Sequence, residues 1–139
     1  MLYRNSNWTI RMTKNYAMKM GVPDYEFRLV LGKTRIEYDA DKERANCRKH
    51  GYSLESAAYL LTAYFPFLTR RRIFLSDSFL KNGEMRHQHL VEDDNKHILF
   101  IATTMRPDET IRVISLRPAS EYEHLLFEEL ANQVNKLAA

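Results

Sequence analysis

The stretch ILFIATTMRPDETIRVISLRP, residues 98–118, decides the fold. Residues 98–103 are apolar almost without a break, so a strand there is buried on both faces and belongs in the middle of a sheet. Arg106-Pro107-Asp108-Glu109 reads as a turn, and a second strand covers residues 110–116 until Pro118 ends it. A turn this short joins antiparallel neighbours, because parallel pairing needs a crossover of about a dozen residues or more. Upstream, residues 73–77 and 85–92 have period two, and the polar run Glu92-Asp93-Asp94-Asn95 turns the chain into the central strand. Downstream, Ser120 is placed to cap a last helix whose Leu125, Leu126, Leu130 and Val134 are expected on the sheet.

Ahead of the strands the period changes to that of helices. Asp39 reads as an N-cap with Asp41 and Glu43 in the first turn, and Gly51 after His50 reads as a C′ stop. Ser53 is expected to cap a second helix, in which Leu54, Ala57, Ala58 and Leu61 share one face before Pro66. Tyr25, Phe27, Leu29 and Leu31 alternate, Gly32-Lys33 offers a turn, and Ile36 and Tyr38 resume the alternation, which predicts a hairpin. Residues 1–35 otherwise read as an arm with a short helix over residues 14–20, and residues 36–139 as the folded domain. The expected class is α+β: two N-terminal helices, an antiparallel β-meander sheet and a C-terminal helix.

The 139 residues suit one domain, and 45% hydrophobic with 28% charged residues excludes a disordered chain. No apolar run approaches the roughly 20 residues of a membrane-spanning helix. With a single cysteine, Cys47, and no export signal, the expected location is the reducing cytoplasm. Net charge is +3, but residues 1–35 hold seven Lys or Arg against two acids, which leaves the remainder at −2. Phosphate binding by the body must therefore come from a local cluster of cations rather than from overall charge.

Four pieces of sequence bear on function. Ile36-Glu37-Tyr38-Asp39 with Asp41, Lys42, Asn46, Lys49, His50 and Gly51 resembles the opening of the BrnT family of toxins. Ser53-Leu54-Glu55 with Ala57 and Ala58 resembles its second helix. Gly83-Glu84-Met85-Arg86 is similar to its Gly-Glu-x-Arg element, and residues 111–121 resemble its last strand and the start of its last helix. The resemblance covers residues 36–124, so the arm of residues 1–35 has no counterpart, and Pro118 stands where the family usually has a basic residue. It implies a RelE-like fold and an endoribonuclease that blocks translation. It also implies a partner antitoxin of the BrnA kind, a ribbon-helix-helix protein through which alone the complex meets operator DNA.

The matched residues suit phosphate chemistry. At about 100° per residue, Lys42, Asn46, Lys49 and His50 fall on one flank of their helix. Cleavage by the RNA 2′-hydroxyl needs a proton acceptor, charge to stabilise the phosphorane and a donor for the leaving oxygen. The catalytic candidates are His50, Lys49, Arg86, Arg112 and Arg117, with Lys42, Asn46, Arg70, Arg71 and Arg72 as RNA contacts. The expected reaction needs no metal and no cofactor. Competing readings stay open. Lys49 and His50 also suit a helix C-terminus, where cations offset the dipole. Glu84 and Arg86 are two apart on a strand and suit a plain ion pair. Arg112 and Arg117 are five apart, which in a regular strand sends them to opposite faces. His87, His89 and His97 suit zinc or a solvated face. Cys47 is expected to face the core, Ser53, Ser76 and Ser78 lack a His-Asp pairing, and Trp8, Tyr16, Tyr25 and Phe27 suit base stacking or core cover. The alternative to an enzyme is a non-catalytic protein-interaction or nucleic-acid-binding module on the same fold.

Overall fold

The computed structural model describes Trp8–Thr9 and residues 25–138. Chain order is β1 (Trp8–Thr9), β2 (Arg35–Tyr38), α1 (Ala40–His50), α2 (Ser56–Leu61) running into a 3-10 turn at Thr62–Tyr64, β3 (Ile73–Ser76), β4 (Phe79–Lys81), β5 (Glu84–Glu92), β6 (Ile98–Arg106), β7 (Thr110–Pro118) and α3 (Glu121–Ala138). The strands lie side by side as β1-β3-β5-β6-β7-β2, with β4 paired to β5. β6 is interior, as its apolar run requires, and β3, β5, β6 and β7 pair antiparallel. The helix expected over residues 14–20, and Tyr16 with it, lie outside the described residues.

Each face of the sheet carries its own core. Leu99, Ile101 and Met105 of β6 pack with Val91, Ile111, Val113 and Leu116 under Leu54, Ala57, Leu60, Leu61 and Tyr64 of the α2 region. Ile98 and Phe100 point the other way, with Phe74 and Leu90, onto Leu126, Phe127, Leu130 and Ala131 of α3. Ser120 and Glu123 form a reciprocal capping box at the start of α3: Ser120 N–H donates to Glu123 Oε1 at 2.8 Å, and Glu123 N–H to Ser120 Oγ at 3.2 Å. Leu125 stays 53% exposed while Leu126 is fully buried. The buried stripe of α3 runs through Leu126, Phe127, Leu130 and Ala131, and at about 100° per residue Leu125 falls on the far side of the helix from its centre.

Two further expectations are corrected. The hairpin over residues 25–38 does not form; β2 instead pairs parallel with β7, Arg35 opposite Thr110 and Tyr38 opposite Val113. Lys33 and Thr34 N–H both donate to the Val30 carbonyl, and Gly32 turns at φ 84°. That tight closure leaves residues 25–31 lying over the α2 face instead of beside β2. The second helix begins at Ser56, and Ser53 Oγ caps Glu55 N–H at 3.1 Å ahead of it. The strand β4 also went unread, although Asn82-Gly83 takes two positive φ values, 52° and 82°, as a two-residue hairpin demands.

Residues 25–34, placed with the arm by sequence, are built into the body. Phe27 is 1% exposed, its ring 4.6 Å from His89 and 5.2 Å from Tyr64, and Leu29 packs beside the same core. Arg28 adds an ion pair to Glu109 in the β6–β7 turn. Phe27→Ala is expected to lower the free energy of unfolding by about 3–5 kcal/mol, the cost of a large buried cavity. Urea melts would show a lower midpoint with an unchanged slope.

Candidate active site

α1 is the first element of the site, and its ends are set locally. Asp39 Oδ1 accepts from Asp41 N–H at 2.9 Å and Lys42 N–H at 3.1 Å, while Gly51 closes the helix at φ 75° and donates to the Cys47 carbonyl. What docks the helix is Asn46. β2 ends opposite Val113, so the outer edge of β7 beyond it has no strand partner among the described residues. Asn46 supplies one: its Nδ2 donates to the carbonyls of Leu116 and Tyr52, both at 2.7 Å, and its Oδ1 accepts from Leu116 N–H at 3.2 Å. The side chain extends the ladder by one rung. Asn46 was expected as an RNA contact; its amide is instead consumed by backbone, because a buried edge must be satisfied.

Docked in this way, α1 turns Lys42, Lys49 and His50 toward Ile114 and Ser115 of β7, across a groove of about 230 Å³. His50 is partly buried and makes no hydrogen bond with the described residues. Burial first, then the charges of Lys49 and Arg117, pull its pKa below the ordinary 6.5. The imidazole is therefore neutral at neutral pH, with a basic nitrogen available. Among the described residues neither Lys42 nor Lys49 forms an ion pair, so the groove keeps both charges.

A β-bulge brings the arginines to the same side. Between the pairs Ala102–Ser115 and Thr103–Val113 the register shifts, leaving Ile114 as the extra residue of β7. Below the bulge Arg112 lies opposite Thr104, and above it Arg117 lies opposite Phe100. Thr104 and Phe100 share the face of β6 that carries α3. A five-residue spacing that separates two side chains in a regular strand unites them here, since the bulge absorbs one residue. Arg86 of β5 stands on the same face, in step with Leu90.

These arginines are held by carboxylates. Arg117 forks onto Glu123 at 2.7 and 2.9 Å and stacks 4.0 Å over the Phe100 ring. Arg112 Nε donates to Glu37 Oε1 at 3.2 Å, and Arg86 takes Glu84 at 2.8 Å, the plain pairing that its spacing allowed. Arg106, read only as a turn residue, projects on this face too and approaches Glu37 at 3.3 Å. Strand parity alone would have found it, had residues 104–106 been counted into β6.

The basic run after α2 is not part of this groove. Arg71 is nearly buried, donating to the Tyr59 carbonyl at 3.0 Å and Thr62 Oγ1 at 2.9 Å, with its guanidinium 4.4 Å above the Tyr59 ring. Arg72 clamps Glu92 through Nε at 3.0 Å and lies 5.1 Å over Phe127. Both fasten the loop to the body, so their donors are already engaged; Arg70 is exposed. His87 and His89 are buried on the α2 face, not solvated, while His97 sits in the β5–β6 turn beside Asp93. His89 is enclosed by Tyr64 OH at 2.6 Å and Thr103 Oγ1 at 2.7 Å, and burial, then His87, holds its pKa well below 6.5. Cys47 is exposed and bonded to Glu43, because Asn46 takes the inward position beside it.

The class so defined is an α+β protein with a cation-lined groove where one helix stands in for an edge strand. The family described as the ribonuclease toxin BrnT of type II toxin–antitoxin systems matches residues 38–123, more than half of the chain, and the chain belongs to it. Among solved structures, the 1.1 Å crystal structure of the Brucella abortus ribonuclease toxin BrnT is similar at 21% identity. That match covers 63% of this chain and 99% of the other, with a TM-score of 0.44. No curated protein matches. Family membership makes RNA the class of target and an antitoxin the class of partner. Among the described residues no helix is long and apolar enough to cross a membrane.

Proposed function

We propose that this chain is a metal-independent endoribonuclease toxin that cuts RNA by 2′-hydroxyl attack, blocks translation and is neutralised by a BrnA-like ribbon-helix-helix antitoxin. The observation that carries the reading is the groove itself, where a neutral His50 stands beside Lys49 and Lys42. His50 takes the 2′-hydroxyl proton as that oxygen attacks phosphorus. Lys49 and Arg117 offset the charge on the phosphorane, and Lys49 gives a proton to the leaving 5′-oxygen. The products are a 2′,3′-cyclic phosphate and a 5′-hydroxyl. Lys42 holds the adjoining backbone, and Arg86 and Arg112 take phosphate once RNA competes with their carboxylates. Residues 36–139, with residues 25–34 packed onto them, make up the toxin domain, the cytoplasm is its place of action, and operator DNA is met only through the antitoxin.

The role of His50 fixes the pH dependence. A base must be unprotonated, and this one has a lowered pKa. The cleavage rate is therefore expected to be level through neutral pH and, on the acid side, to fall as pH drops through a value below 6.5. A steady decline starting above pH 7 in a pH–rate series would remove His50 from that role. In cells, expression is expected to arrest growth and protein synthesis, with release on co-expression of a small ribbon-helix-helix protein encoded beside it. Normal growth with abundant folded protein would contradict the toxin reading.

A second reading has an observation of its own. Arg86, Arg112 and Arg117 are all engaged by carboxylates, as suits a module that binds partners without cleaving. RNA bound by the purified chain but recovered intact would favour it.

A further inference from the structure

We propose that Arg106 and Arg112, set side by side on Glu37, form a second phosphate subsite that takes the RNA phosphate next to the one in the α1 groove. The proposal rests on the ribonuclease reading above and adds to it a place for the flanking backbone. Glu37 lies directly across from Arg112 on paired strands, and Arg106 reaches the same carboxylate oxygen from β6. The two Nε atoms stand 3.3 and 3.2 Å from Glu37 Oε1. Two guanidinium groups share the one Glu37 oxygen, so that carboxylate cannot saturate the donors of both.

The two arginines are not held alike. Arg112 makes a hydrogen bond to Glu37, whereas the Arg106 Nε–H is off line and has no acceptor among the described residues. Attraction alone keeps Arg106 in place; its Nε is shut from solvent, but the side chain as a whole is 42% exposed, so an arriving anion can meet the rest of the group and draw it off Glu37. A plain stabilising pair across the strands would need one arginine, and exposed pairs of this kind stabilise a fold little. Position links the pair to the groove. Asp39, whose carboxyl is lowered chiefly by the Lys42 and Asp41 N–H groups, also feels the charges of Arg112 and Lys42. Geometry gives the same link: Arg112 is two residues along β7 from Ile114 of the groove wall, and its partner Glu37 is two residues before the Asp39 cap of α1. Successive phosphates of one RNA strand would meet Lys42 and then the arginine pair.

The test is fluorescence anisotropy on the full chain with a labelled single-stranded RNA carrying 2′-O-methyl riboses, which block attack and separate binding from cleavage. Arg106→Gln is expected to weaken binding about tenfold, the scale of one charged hydrogen-bonded contact. It should also make the slope of log affinity against log salt shallower by about 0.7, the share of one phosphate. Arg106→Lys should restore the slope without the full affinity, because the charge returns and the fork does not. On cleavable RNA the loss is expected in KM more than in kcat. Wild-type affinity and slope in folded Arg106→Gln would overturn the subsite while leaving cleavage standing. A wild-type chain with no affinity for RNA would overturn both this proposal and the functional reading.

Discussion

His50→Ala is expected to lower the rate of RNA cleavage by about 10²–10⁴-fold, the usual worth of a positioned general base. Melting is expected to stay close to wild type. The ring makes no hydrogen bond with the described residues, and a neutral imidazole adds little to the helix dipole at the end of α1. Loss of rate without loss of stability is what separates a base from a helix-ending residue, the two readings that Lys49-His50-Gly51 permits. Expression of the variant should likewise release growth arrest. Full activity in folded His50→Ala would move the chemistry away from α1.

Asn46→Leu is expected to have the largest effect on the fold near the site. The leucine fills a similar volume but strands the Leu116 N–H, the Leu116 carbonyl and the Tyr52 carbonyl, all now bonded to the amide. Each buried group left without a partner costs roughly 1–3 kcal/mol, so a loss of about 3 kcal/mol or more is expected in denaturant melts. Cleavage should fall with it even under conditions where the chain stays folded, because α1 then loses its register on β7 and the groove its shape. Asn46→Asp keeps the acceptor and loses both donors, and it should fail as well. A stable, active Asn46→Leu would show that α1 is docked by something else.

What could be read in the sequence was local. The caps of α1 are residues whose own side chains or backbone freedom end a helix, so Asp39 and Gly51 were visible as such. The order of β5, β6 and β7 followed from short turns and from an apolar run that only an interior strand accommodates. The flank of Lys42, Lys49 and His50 followed from helical period, and those three do line one groove. What could not be read depends on partners distant in the chain. The β2–β7 pairing joins Arg35 to Thr110, and nothing near either residue announces the other. The bulge at Ile114 carries no glycine or proline to mark it, yet it decides that Arg112 and Arg117 share a face. Glu37, Glu92 and Glu123 looked like ordinary strand and helix residues until the fold placed arginines against them. Of the site's arginines, Arg86 had its partner in plain view, since Glu84 is two residues away on one strand.

The same geometry explains why Arg106 and Arg112 can be both structural and available. A guanidinium held on an exposed carboxylate is positioned at small cost and can exchange that partner for a phosphate, which carries the same sign of charge and accepts the same fork. Arg71 is the contrast. Its donors are spent on Tyr59 and Thr62, and its side chain is nearly sealed, so no anion can recruit it.

Chemical analysis of the RNA fragments left by the purified chain in excess EDTA speaks most directly to how this protein works. The expected result is cut RNA ending in 2′,3′-cyclic phosphate on one side and 5′-hydroxyl on the other, absent when His50→Ala replaces the wild type. Fragments ending in 5′-phosphate, or cutting that stops when divalent ions are removed, would contradict it.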